Sequence, residues 1–335
     1  MKRKLLALSL AIWLAVSAGG CSQAQEKYSD SFDSMDTLMQ LTVYGDKGAL
    51  EDIRDRIEEL DSILSATDKN SDICALNSAG AATVDSAASE LLMKANELSR
   101  KTGGALDVTV YPIVEEWGFI SGDHKIPSKE RLAELVKSVG FSGVKIQGES
   151  VALPKGAKVG LGAVAKGYAA DEAELILEKS DSKGAILNLG GTVVAYGSKN
   201  GESWKVGVAD PENSAGYMGY LTCKDKIIAT SGKYERYFKG DDGKIYGHII
   251  DPKTGIPVDN GLKSVTVISD SGVTADGLST ALFVMGREKA EEYYRSHKNF
   301  DFIILTDDNN AYVSEGVADS FKLEEGHEYT VKTVK

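Results

Sequence analysis

Hard oxygen ligands and an imidazole crowd one stretch of the chain, His248 to Ala281, HIIDPKTGIPVDNGLKSVTVISDSGVTADGLSTA. His248, Asp251, Asp276 and Thr280 lie around a predicted strand, LKSVTVIS. Such groups at strand ends suit a magnesium-assisted chemistry on phosphate. Asp276 and Thr280 stand four residues apart, so on a helix they share one face. With a backbone carbonyl from a glycine loop they would hold Mg²⁺ and several waters. The plainer reading makes Asp276 a helix cap. Among the four histidines, His124 sits in a polar loop, and His297 and His327 sit in charged surroundings. His248 alone lies in a predicted apolar strand beside an acid, which points to a ligand-facing role.

Three other segments carry potential chemistry. VGLGAVAKGYAADEAE runs from a strand through Gly160-x-Gly162-x-x-Ala165 into a helix, and Glu178 lies farther along. The pattern is close to a dinucleotide fingerprint, but no α/β alternation surrounds it. It is not a Walker loop, because Lys166 precedes Gly167. A glycine turn feeding a helix N-terminus still makes a phosphate cradle; alternatively it is a tight packing turn. In TGGALDVTVYPIVEEWGF, Asp107 follows a Gly-Gly break. It could accept hydrogen bonds from a base or ribose, or close an Asx-turn. Trp117 and Phe119 read as core. In ATSGKYERYF, Ser231-Gly232 follows a strand and offers a hydroxyl and an N–H, but no G-x-S-x-G elbow is present.

These groups need elements to position them. MQLTVYG alternates as a strand does. Leu50, Ile53, Ile57, Leu60 and Leu64 recur at three- and four-residue steps and predict an amphipathic helix. SDICALNSAG predicts a short helix capped by Ser71, and SAASELLMKANELSRKTGG a longer one capped by Ser86 and ended by Gly103-Gly104. LDVTVYPIVEEWGF is rich in strand formers up to Pro112. SKERLAELVKSVG predicts a helix capped by Ser128, and KIQGESVALP a hairpin turning at Gly148. Strands and turns then alternate from AILNLGGTVVAYG to KIYGHIIDP. TADGLSTALFVMGREKAEEYYRSH predicts one last long helix. The expected class is α+β, with antiparallel sheets packed against helices.

The chain opens with Lys2, Arg3 and Lys4, an apolar run LLALSLAIWLAVSA, and small residues before Cys21. This reads as a signal peptide over residues 1–20 with Cys21 lipidated, then a tether over 21–31. Residues 32–335 read as a single domain with two lobes. No later segment has the length of a transmembrane helix. Loss of three basic residues with the signal takes the net charge from −12 to −15, which argues against nucleic acid as a partner. Cys74 and Cys223 are too few for a disulfide framework.

Taken in order, SDICALN, TGGALDVTVYPIVEEWGF, GLGAVAKGYAADEA, NLGGT, IATSGKYERYF, HIIDPKTGIP and TADGLSTALFVMG resemble the ApbE-type FAD:protein FMN transferases. The resemblance implies a T-fold-like enzyme lipid-anchored outside the bacterial cell membrane. It implies FAD as substrate, Mg²⁺ as metal, and an extracytoplasmic acceptor protein whose Thr or Ser receives FMN as AMP leaves. It assigns metal ligands to the Ala163 carbonyl, Asp276 and Thr280. Flavin contacts fall on Met35, Ala105, Leu106, Asp107, Lys166 and the strand at His248–Ile249, with His248 and Asp251 beside the reacting phosphates. Ser231 joins the set as a hydroxyl that could face the ligand. Three positions depart from the family pattern. Gly160 stands for the usual Asp, Thr192 for Asp or Asn, and Thr67 for a common aromatic. Those departures leave two alternatives open, a metal-dependent FAD pyrophosphatase and a non-enzymatic flavin-binding lipoprotein.

Overall fold

The computed structural model describes residues 25–335, so the signal segment and Cys21 lie outside the described residues. The helices are α1 (Lys47–Leu64), α2 (Asp72–Ala79), α3 (Ser86–Lys101), α4 (Tyr111–Glu116), α5 (Lys129–Leu135), α6 (Ala165–Lys179), α7 (Gly272–Met285) and α8 (Arg287–Ser296). A nine-stranded sheet forms the centre. Its order is β1 (Lys27–Ser34), β2 (Thr37–Tyr44), β6 (Gly184–Leu189), β7 (Thr192–Gly197), β10 (Lys226–Gly232), β13 (Leu262–Ser269), β14 (Asp301–Thr306), β15 (Asn310–Ser314) and β17 (Thr330–Val334). All pairs are antiparallel except β15 with β17. Smaller sheets join β8 (Trp204–Asp210), β9 (Asn213–Cys223) and β16 (Phe321–Leu323); β3 (Ala81–Thr83), β4 (Lys145–Gln147) and β5 (Ser150–Ala152); and β11 (Tyr237–Lys239) with β12 (Ile245–Gly247). The fold is α+β.

Strand alternation sorts the large sheet's side chains between two cores. Ile227, Ala229, Val265, Val267, Phe302 and Ile304 face the helices. Ile228, Ile268, Ile303 and Leu305 face the other way, against Trp204, Val206 and Phe321 of the small sheet. With both faces covered, β13 is buried at every position. Its polar residues Lys263, Ser264, Thr266 and Ser269 are therefore buried along with its apolar ones.

Several expectations are corrected here. The tether is shorter than residues 21–31, because β1 begins at Lys27 and pairs with β2 from Lys27↔Tyr44 to Ser34↔Thr37. Its polar residues sit on an edge strand with exposed positions, so composition hid the strand. LDVTVYPIVEEWGF is helical, not extended. Asp107 caps a 3₁₀ turn over Val108–Val110, and Pro112 fits the first turn of α4. Asp85, not Ser86, caps α3, accepting from Ala87 N. The last long helix is two helices, broken at Gly286, whose φ of +78° continues no α-helix.

Candidate active site

The glycine turn before α6 is clamped from two sides. Asn77 on α2 accepts from Val159 N at 2.7 Å and donates to Val159 O at 2.8 Å. Gly160 N donates to Val108 O at 3.0 Å. A Cβ at Gly160 would overlap the edge of the Tyr111 ring at Cδ2. A larger residue there would have to displace Tyr111, which already fills the space. Burial and the nearby Glu115 push the Tyr111 hydroxyl up to about 12. Thr192, the second departure from the family pattern, is buried at the start of β7.

Helices α6 and α7 touch backbone to backbone. A methyl on Gly167 would overlap the carbonyl of Gly272, and one on Gly272 would overlap the carbonyl of Gly167. Each helix also holds the other's first turn. Asp171 of α6 accepts from Gly272 N, from Val273 N at 3.1 Å and from the Ser271 hydroxyl at 3.4 Å. Asp276 of α7 accepts from Gly167 N at 2.8 Å through Oδ2. Asp276 is thus no cap of its own helix, since that role belongs to Ser271.

This pairing leaves two oxygens open. In a regular helix Gly167 N would donate to the Ala163 carbonyl, four residues back. Here Asp276 takes that donor, while Ala165 N still donates to Leu161 O before it and Tyr168 N to Val164 O after it. The Ala163 carbonyl and Asp276 Oδ1 receive no hydrogen bond from the described residues. Asp276 is 6% exposed, and burial raises its pKa against the pull of Lys166 and Gly167 N. A buried carboxylate with a free oxygen calls for a cation. Thr280 lies one turn along α7, with its hydroxyl 3.1 Å from Ser231 Oγ. Ser231 Oγ also lies 2.8 Å from the Ser279 hydroxyl, which donates to Asp276 O at 2.7 Å. Carbonyl, carboxylate and hydroxyl are the donor set of a hard divalent cation that keeps several waters. Among the described residues no cluster of three His, Cys, Asp or Glu side chains makes a fuller cage.

Lys166 stands at the centre. Its ammonium donates to Gly190 O at 2.7 Å, in the β6–β7 turn. Its charge is felt at Asp276, Glu235 and His248 together. Gly190 packs against Thr37, just past the β1–β2 turn that holds Met35. Met35 and Asp36 both have positive φ, 49° and 59°, as a tight hairpin turn requires. Asp61 holds this turn, accepting from Met35 N at 2.9 Å and the Ser34 hydroxyl at 3.0 Å. The turn borders a hollow of about 580 Å³.

His248 follows β12, outside the strand in which the sequence placed it. Its Nδ1 lies 3.2 Å from Arg236 O, and its backbone N donates to the same carbonyl at 3.0 Å. A carbonyl only accepts, so Nδ1 carries the proton and Nε2 presents a lone pair. Crowding by neighbouring protein pushes the imidazole down to about 4, with the Arg236 and Lys166 charges adding to the effect. The ring meets Phe119 edge-on at 6.5 Å. Ile249 is buried and accepts from Val258 N at 2.8 Å.

Other expected site residues serve the chain itself. Asp107 Oδ1 accepts from Thr109 N at 2.9 Å and from the Thr109 hydroxyl at 2.6 Å, and its Oδ2 accepts from Phe141 N at 3.1 Å. The Asx-turn reading holds for its side chain. Asp251 accepts from Lys253 N at 2.9 Å and the Thr254 hydroxyl at 3.2 Å, shaping the DPKTG turn. Ala105 and Leu106 are buried, and Leu106 N donates to the Thr102 hydroxyl at 3.2 Å. Ala105 and Asp251 meet at a cavity of about 420 Å³ with Lys253, Met285 and Tyr293. That cavity includes none of Lys166, Ser231, His248, Asp276 or Thr280.

Sequence reasoning missed Glu235. It keeps a solvent-facing surface, yet surrounding protein pushes its carboxyl up to about 7, with Asp276 adding and Lys166 and Arg236 opposing. An acid in the quoted motif IATSGKYERYF was the available signal. It also missed Asp171 and Asn77, whose partners lie 101 and 82 residues away.

An open helix start, a buried carboxylate bonded to it and a central lysine are set at one place in an α+β fold. The chain belongs to the ApbE family, whose sequence profile matches residues 35–304. It is 30% identical over 332 residues to the FAD:protein FMN transferase of Haemophilus influenzae, covering 92% of this chain and 94% of that protein. The Treponema pallidum protein of the same name is 31% identical, covering 92% of each. Among solved structures, the ApbE protein of Thermotoga maritima superposes with a TM-score of 0.78 at 32% identity, over 90% of this chain and 97% of that one. The flavin transferase ApbE of Vibrio cholerae gives 0.74 at 27% identity, over 90% and 97%.

Proposed function

We propose that this chain transfers FMN from FAD to a Thr or Ser hydroxyl of an acceptor protein, with Mg²⁺ bound and AMP released. The observation that carries the reading is the Asp276–Gly167 bond, which takes the Gly167 donor and leaves the Ala163 carbonyl and Asp276 Oδ1 without a hydrogen-bond partner among the described residues. Names of the relatives support the reaction class. Mg²⁺, held by the Ala163 carbonyl, Asp276 and the Thr280 hydroxyl, would neutralise charge developing on the pyrophosphate oxygens.

The chain's own groups do the rest. Lys166, fixed by Gly190, places a cation beside the phosphates. The acceptor oxygen bonds to the FMN phosphorus as the bond from that phosphorus to the AMP oxygen breaks. The hydroxyl proton goes to Nε2 of His248, which the Arg236 carbonyl keeps free to accept it. The DPKTG turn, shaped by Asp251, supports the strand end carrying His248 and Ile249. Cys21 would carry the lipid that places the domain outside the cell membrane.

The test is to incubate the full chain with FAD, Mg²⁺ and a purified protein bearing a D-G-x-T-G-A-T-like site. The expected result is acceptor mass increased by FMN, with one AMP per event. AMP released at a comparable rate without acceptor would make the protein a pyrophosphatase. Tight FAD binding with no AMP under any condition would make it a flavin carrier.

A further inference from the structure

The β11–β12 hairpin forms a sheet of its own beside His248. Phe238 and Tyr246 are cross-strand partners. Both rings lie against Trp117, at 6.3 and 5.1 Å, and Phe238 also meets Phe119 at 5.7 Å and stacks on His124 at 4.8 Å. That face is the hairpin's anchor. Strand alternation sends the flanking residues to the opposite face. There stand Tyr237, 55% exposed, and Ile245, 64% exposed, the two most exposed large apolar side chains among the described residues. Lys239, cross-strand from Ile245, shares this face. Lys239 makes no ion pair among the described residues, although Asp241 and Asp242 follow it in the hairpin turn, Asp242 accepting from the Tyr246 hydroxyl at 2.8 Å.

The hairpin is tied directly to the reacting centre. Arg236, one residue before β11, holds His248 through its carbonyl. Glu235 and Ser231 lie just upstream in the same segment. A protein whose hydroxyl reaches Nε2 of His248 must therefore pass beside this hairpin.

We propose that the outer face of the β11–β12 hairpin, Tyr237, Lys239 and Ile245, is the surface on which the acceptor protein docks. The proposal rests on the transfer reading. The partner it fits has an apolar patch bordered by a carboxylate near the modified hydroxyl. The tyrosine and isoleucine supply apolar contact area, and Lys239, free of any ion pair among the described residues, supplies a positive charge for the partner's carboxylate.

The experiment compares the full wild-type chain with Tyr237→Ser/Ile245→Ser, using FAD, Mg²⁺ and a purified acceptor protein with a D-G-x-T-G-A-T-like site. The double variant should raise the acceptor KM about tenfold, with kcat and FAD affinity unchanged. Tyr237→Phe/Ile245→Val should restore the wild-type KM. Lys239→Glu should also raise KM, by a factor that shrinks at high salt. An unchanged acceptor KM in the double variant overturns the proposal. If the double variant instead loses binding to phosphatidylglycerol vesicles, the face is a membrane contact. Weaker FAD binding overturns it too, since the hairpin would then be shaping the flavin site. A wild-type chain that yields no flavinylated acceptor overturns the transfer reading itself, which separates the two failures.

Discussion

On the Lys166 side of the site, two helices meet with no side chain between them, and a carboxylate of each accepts from the other's first turn. On the His248 side, a short hairpin rests on aromatic rings and a turn closes on its own Asp251. The first wall has no slack, since helices packed at glycine contact cannot shift without overlap. The second is made of local bonds near the surface, which open at lower cost. Fixed oxygens suit an ion and a pyrophosphate, whose geometry is always the same. A more yielding wall suits a macromolecular substrate that must enter and leave.

The largest expected effect tests whether the rigid wall is chemical. Asp276→Ala should cost at least about 10³-fold in FMN transfer, on the order of 4 kcal/mol. Its effect on thermal stability should stay within about 1 kcal/mol, because burial already opposes the charge that is removed. A variant that melts early but keeps its turnover would make Asp276 a pin between helices and nothing more.

Gly167→Ala tests the rigidity itself. The added methyl meets a backbone carbonyl, which cannot rotate away. Chemical denaturation should show a loss of about 3 kcal/mol. A loss below about 0.5 kcal/mol would mean that α6 and α7 can slide, and the contrast between the walls would disappear.

His248→Ala should lower kcat by about 10²-fold. The wild-type imidazole, pushed down to about 4, stays neutral throughout the neutral range. Its folded-state pKa lies below the unfolded value. Its contribution to stability is therefore present above about 6.5 and lost as pH falls toward 4. Turnover measured against pH should show an acid limb only below about pH 5, and the alanine variant should lose that limb. An acid limb near 6.5 would mean that the ring is solvated and the pocket around it open.

The smallest effect belongs to the turn. Asp251→Ala removes two local hydrogen bonds and should cost about 1 kcal/mol. Transfer should fall only a few-fold. A loss as large as that of His248→Ala would show that Asp251 touches the reacting groups.

The parts of the molecule legible from sequence were those with local causes. The apolar steps from Leu50 to Leu64 gave α1, and Gly148 gave the β4–β5 hairpin. The glycine turn before α6 and the shared face of Asp276 and Thr280 were also readable. Where local signals conflicted, tertiary context decided. Val108, Thr109 and Val110 favour strands, but Asp107 and Pro112 bend them into helix. Asp276 could be read as a cap or a ligand, and only its partner at Gly167, 109 residues earlier, removed the first reading. Glu235 was invisible for the same reason, since the groups that shift its carboxyl come from α6, α7 and the β10–β11 loop.

The handclasp of Asp276 and Gly167 also bears on how the molecule comes to be. Bonds spanning more than a hundred residues are late events, since a long loop must close before they reward it. Asp276 can take the Gly167 donor and free the Ala163 carbonyl only when the C-terminal third has docked. A chain in which that third has not docked lacks the Asp276 half of the site. Flavin capture by the emerging protein would then act as a clock, striking only once folding is complete.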